Sequence, residues 1–286
     1  MPMSLFNYKL KPIEQCALPG DKKKSLAWFW ITDSEYYIEL GEVKLFENSC
    51  ESIKKYPNQP QYLDYQYVRF LEDFFDILPS VAAPIPPEIF HYIDTIDKKE
   101  RLAEKLSSWY DSIDNPTEEH GAIETDVLEL LWEGNLDTGF LSVCSQCWFY
   151  RIDDTIKIQY DFREFEEDGT PIWSATSGEY ELPWHVFVDE VEDLLVRFFR
   201  DMDKQVENAV ALLESDKNYT AYETVEKDGS LKYDNKLGIE SLLKEHNERK
   251  NQFWNVLNEV KRNAQPSENW SKIKSSVEII LTEKRS

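Results

Sequence analysis

From Pro183 to about Leu213, apolar residues fall at Trp184, Phe187, Val188, Val191, Leu194, Leu195, Phe198, Phe199, Met202, Val206, Val210 and Leu213. Three-four spacing sustained over about eight turns predicts one long amphipathic helix, with Pro183 well placed at its first turn. Such a stripe has to be covered by other parts of the chain. Aromatic residues make up 14% of the sequence (9 Trp, 15 Tyr and 15 Phe), far too many for a disordered acidic chain. With 9 Gly and 13 Pro the chain is neither fibrous nor low in complexity. Four Cys form no disulfide framework, so a reducing cytoplasm is the expected location. No apolar run approaches the roughly eighteen residues that span a bilayer, and residues 1–15 lack the features of a secretion signal.

Residues 25–47 read as consecutive strands, rich in aromatic and β-branched side chains, with turn residues near 32–34 and at Gly41. Residues 62–78 switch to helical spacing: Leu63, Tyr67, Phe70, Leu71, Phe74, Phe75 and Leu78 form one stripe. Pro79 is expected to end this helix, and Pro84, Pro86 and Pro87 to make a stiff connection. Shorter helical patterns cover 98–113 and 124–132, and residues 139–182 hold three strand-like segments. The steps between those segments are short, which predicts an antiparallel meander. Residues 217–235 read as a loop, followed by a helix marked by Leu242, Leu243, His246, Phe253, Trp254, Leu257 and Val260, and a last helix over 270–281. The expected class is α+β: antiparallel sheets from two β sections packed against several helices. An acidic body over 1–215 precedes a C-terminal helical segment over 236–286, packed on it or appended to it.

Charge sorts the partners. With 32 Lys+Arg against 55 Asp+Glu the net charge is 32 − 55 = −23. Nucleic acid and anionic membranes are repelled by such a chain, and a basic partner is attracted and steered. The charge is uneven: residues 1–231 carry 21 basic and 47 acidic side chains (−26), and residues 232–286 carry 11 and 8 (+3).

Few residues mark chemistry. Cys144 and Cys147 are spaced as a redox pair, but their flanks have strand composition, which sends the two side chains to opposite faces. A buried structural role is the better reading. His91, His120, His185 and His246 are isolated and lack metal-ligand spacing, and His246 falls on an apolar stripe, as a structural histidine does. Phosphate-binding glycine motifs are absent. Trp28, Phe29, Trp30, Tyr36, Tyr37, Trp173 and Tyr180 are read as core before ligand groove. The acidic cluster Glu164, Glu166, Glu167 and Asp168 closes with Gly169; it is either a solvated hairpin tip or an anionic loop for a basic partner. These four residues are the candidate partner interface. No catalytic, cofactor or metal-binding residue is assigned.

The strings LAWFWITDSEYYIELG, YLDYQYVRFLEDFFDILP, LDTGFL and DGTPIWSATSGEYELPWHVFVDEV resemble, in this order, a bacterial family catalogued as a domain of unknown function. The resemblance covers about residues 4–205, leaving the tail from 206 particular to this chain. It supplies no active site, and it implies likeness to the small acidic cytoplasmic immunity partners found beside bacterial polymorphic toxins. The expectation is therefore a non-enzymatic protein that binds and neutralises a cognate basic toxin domain. An alternative is a hydrolase-like enzyme, which requires a deep pocket holding perturbed ionisable groups. A third is an acidic mimic of nucleic acid.

Overall fold

The computed structural model describes residues 4–141, 145–221, 223–225, 231–262 and 269–282. The first half runs β1 (Phe6–Leu10), β2 (Lys24–Ser25), β3 (Asp33–Leu40), β4 (Val43–Leu45), α1 (Cys50–Lys55), β5 (Leu63–Gln66), α2 (Tyr67–Ala82), α3 (Pro87–Phe90), α4 (Ile96–Asp111) and α5 (Glu118–Trp132). The second half runs β6 (Gln146–Ile152), β7 (Thr155–Asp161), β8 (Ser177–Pro183), α6 (Trp184–Ser215), β9 (Tyr219–Thr220), β10 (Glu223–Val225), β11 (Leu231–Tyr233), α7 (Asn235–Arg262) and α8 (Trp270–Thr282). The class is α+β, with antiparallel sheets and helices at the C-terminal end.

The chain divides into two compact units, each drawn from three stretches of sequence. The first comprises Met1–Phe75, Glu164–Ala175 and Val188–Asn258; the second comprises Asp76–Arg163, Thr176–Phe187 and Glu259–Ser286.

In the first unit β3 is the central strand of an antiparallel sheet. Strand β1 pairs along one edge, with Phe6 opposite Ile38 and Leu10 opposite Ser34. Strands β4 and β5 follow one another along the other, with Leu45 opposite Ile38 and Gln66 opposite Asp33. Alternation along β3 buries Tyr36, Ile38 and Leu40. Aromatic rings pack against them: Phe6 lies 5.0 Å from Phe74, Tyr8 stacks on Tyr67 at 4.8 Å, and Phe253 of α7 meets Phe75 at 4.9 Å and Phe199 at 6.1 Å. The stripe that predicts α6 is the face it buries, with Val191, Leu194, Leu195, Phe198 and Met202 inaccessible to solvent.

Four local readings change. Residues 26–32 are not strand: after β2 the chain turns into a short 3-10 helix over Trp30–Thr32. Trp28 and Ile31, three apart, are both buried, and the Thr32 hydroxyl donates to the Phe29 carbonyl at 2.7 Å, so the local period is three and not two. Residues 63–66 form β5 before the helix begins. Pro79 does not end α2, which continues to Ala82. A proline there removes one backbone hydrogen bond, and Leu78 before it and Val81 and Ala82 beyond it are all buried. Within 217–235, read as a loop, the chain forms the short strands β9, β10 and β11.

The second unit is built on the meander β6-β7-β8, paired in order and antiparallel, with Cys147 opposite Tyr160 and Ile158 opposite Tyr180. Helices α4, α5 and α8 share one apolar cluster with strand residues Trp148 and Tyr150. Asp126 on α5 is buried among them and satisfied by α8, accepting from Lys272 at 2.8 Å and from the Ser276 hydroxyl at 2.7 Å. After α5 the chain reverses at Gly134 with φ of 63°, and a β-carbon there would sit 2.0 Å from the Phe149 carbonyl oxygen. Only glycine fits so close an approach, which brings the end of α5 against β6. Among the described residues no helix is long and apolar enough to cross a membrane.

Candidate functional site

The acidic cluster Glu164, Glu166, Glu167 and Asp168 lies on a small docked hairpin in the first unit. Glu166 N–H donates to the Thr170 carbonyl and Ile172 N–H to the Glu164 carbonyl, at 2.9 and 3.0 Å. The turn closes through Gly169 N–H to the Glu166 carbonyl at 2.9 Å, with Gly169 at φ 83°. At its base the hairpin is fastened by Ser49 N–H to the Ile172 carbonyl and by Ser174 N–H to the Glu47 carbonyl, both 2.8 Å.

Two of the four acids are already partnered. Lys55 at the end of α1 donates to Glu166 and, at 2.8 Å, to Asp168; the Tyr56 hydroxyl adds a bond to Glu166 at 2.9 Å. Hydrogen bonds from Lys55, then from Thr170, hold the Asp168 carboxyl well below the usual range, and bonds from Lys55, then from Tyr56, lower Glu166. Reciprocally, bonds to Asp168 and Glu166 raise the Lys55 ammonium. The tip therefore presents less free charge than its sequence implies, but it is held in shape. Phe165 stands out from it, 59% exposed, with Tyr56 at 45%.

Of the aromatic candidates, Trp28, Tyr36 and Trp173 are core. Phe29, Trp30, Tyr37 and Tyr180 are half-buried. Tyr37 stacks on Tyr62 at 4.2 Å beneath the Lys44 ammonium. His246 is buried and satisfied: the Trp28 indole donates to its Nδ1 at 3.1 Å, so its proton sits on Nε2, facing Asp203 at 2.7 Å. Burial alone would raise Asp203, yet bonds from His246 and Lys250 hold it below the ordinary carboxylate range. His120 serves a capping box with Thr117 at the start of α5.

Cys147 lies fully buried on β6, and burial pushes its thiol up, away from the thiolate that redox or metal chemistry needs. Its motif partner, Cys144, lies outside the described residues. Among the described residues no group of three or more His, Cys, Asp or Glu side chains is placed to hold a metal ion.

A second site, absent from the sequence reading, lies wholly in the second unit. A cavity of about 480 Å³ opens between α4, α5 and β6, with a mainly apolar wall that includes Leu106, Leu128, Leu131, Trp132 and Trp148. Lys99 of α4 also lines it, although only 4% exposed. Its Nζ sits 3.5 Å from the Trp148 ring centre and 4.7 Å from that of Tyr150, with no hydrogen-bond partner among the described residues. Burial pushes the amine down to about 6. The Trp148 face pulls the other way, since a desolvated cation over indole gains about 2 kcal/mol. Trp148 Nε1 and the Tyr150 hydroxyl are buried without partners as well. A run such as DKKER reads as solvated; the overlooked signal is that 99, 102, 106 and 109 lie at three-four spacing, placing Lys99 on the stripe of Leu102, Leu106 and Trp109.

Against known proteins, a family model described as a family of unknown function (DUF5984) matches residues 5–276. The match extends far past residue 206, so the tail is not particular to this chain. No curated protein and no solved structure matches.

Proposed function

The chain belongs to DUF5984, a family of unknown function, and from that premise we propose that it is a non-enzymatic cytoplasmic protein of the immunity type, which binds and neutralises a basic toxin domain. The observation that carries this reading is Phe165, an exposed aromatic on a hairpin that the protein's own contacts hold still. Binding hot spots favour rigid aromatic anchors, because little conformational freedom is lost on docking. Glu164 and Glu167 lie on the same hairpin, and the net charge of −23 steers a cationic partner toward the molecule.

The test is binding of the basic toxin-like domain encoded beside the gene, measured at low and high salt with the wild type and with Phe165→Ala and Glu167→Lys. The expected result is one-to-one binding that weakens with salt and falls at least about tenfold in Phe165→Ala, the loss typical of a hot-spot residue. No stoichiometric binding, or binding indifferent to both substitutions, would overturn the assignment.

A further inference from the structure

Lys99 and Trp148 line the cavity of the second unit, Tyr150 lies beside the Lys99 amine, and among the described residues none of these three buried donor groups has an acceptor. Buried donors are nearly always satisfied, so three together require an explanation. An acceptor oxygen brought in by a ligand would provide one. A volume of about 480 Å³ falls in the range of small-molecule sites, and the wall suits an apolar body.

The lining also limits the charge of that ligand. Glu100, Asp111 and Glu124 stand in the wall, Glu100 also paired with Arg163 at 3.4 Å, and among the described residues Lys99 is the one basic side chain there. A carboxylate would enter against an acidic lining; a neutral carbonyl compound would not. A lysine desolvated in an apolar pocket keeps a free amine near neutral pH, which is the condition for nucleophilic attack on a carbonyl carbon.

We propose that this cavity binds an uncharged apolar molecule bearing an aldehyde or ketone, and that Lys99 captures it as an imine. The Lys99 nitrogen bonds to the carbonyl carbon. The carbinolamine so formed then loses the former carbonyl oxygen as water, which carries away the two hydrogens of the amine. No oxidant, reductant or metal is required, and addition of water reverses the step. This goes beyond partner binding and does not depend on it.

Benzaldehyde is the probe, incubated with the full chain at pH 7 and trapped with cyanoborohydride, the modified lysines being identified by peptide mass mapping. Lys99 is expected to be labelled at least about tenfold faster than exposed lysines, most of whose amines are protonated at this pH. Ala103→Trp, which fills the cavity and leaves the amine in place, should abolish that preference, as should Lys99→Met. Benzoate at the same concentration should leave the labelling unchanged. The proposal falls if labelling follows exposure and spares Lys99, if Ala103→Trp is labelled as fast as the wild type, or if benzoate protects Lys99, which would make this an anion site.

Discussion

His246 in the first unit and Lys99 in the second both sit on the apolar stripe of a helix, at 6% and 4% exposure. One is finished and the other is not. His246 has Trp28 on one ring nitrogen and Asp203 on the other, so every polar atom it buries is used. Lys99 has an aromatic face and no acceptor, and its neighbours Trp148 and Tyr150 leave two further donors open. The first arrangement is what a fold needs to specify itself. The second costs stability with no structural return, which is why it reads as a place for something else.

The largest effect that can break this comparison is on Lys99. Lys99→Met is expected to stabilise the protein at pH 7 by about 1–4 kcal/mol, because an apolar side chain of similar length replaces an unpaired buried amine. The unfolded chain keeps its lysine protonated to about 10.5, and the folded one releases the proton above about 6. Between those values the unfolded state holds more protons, so wild-type stability rises with pH. The advantage of the variant is therefore full below about pH 6 and shrinks toward pH 10.5. Urea unfolding of both proteins at pH 6, 8 and 10 measures it. A destabilised variant would mean that the cation over Trp148 is structural.

Next in size, and opposite in sign, is His246→Leu. It leaves the buried Trp28 indole without its acceptor and should cost about 1–3 kcal/mol in the same unfolding assay. Equal signs for the two substitutions would erase the distinction between them.

The smallest effect belongs to the hairpin, where charge is paired but wet. Lys55→Gln should leave the urea midpoint unchanged within error, since exposed ion pairs contribute little. Its readout is titration. Glu166 and Asp168 lose the bonds that hold their carboxyls low, so carboxyl NMR should show both titrating at higher pH, nearer the ordinary range. If neither moves, the pairing with Lys55 does not shape the loop.

Legibility in the sequence followed the range of the interactions. Helix α6 was readable because its stripe is local and long, and the β6-β7 pair because a short polar turn separates its strands, whereas the link from β7 to β8 runs through the 164–172 hairpin. Residues 26–32 were misread because aromatic composition stood in for an alternation that is absent there. The hairpin at 164–172 was visible as charge and a glycine, but its fastening to Ser49 and Lys55 comes from more than a hundred residues away. The cavity was hidden for the same reason. Its walls come from α4, α5 and β6, and the only local trace of it was a lysine standing where a leucine would fit.

The three cysteines among the described residues are graded by depth: Cys50 is exposed, Cys16 is partly covered and Cys147 is buried on β6. Together they make a clock. A thiol reagent reaches Cys50 at once, and reaches Cys147 only in the moments when β6 parts from its neighbours. The interval between the two modifications counts how often the second unit breathes, and anything that settles into its interior will slow the ticking.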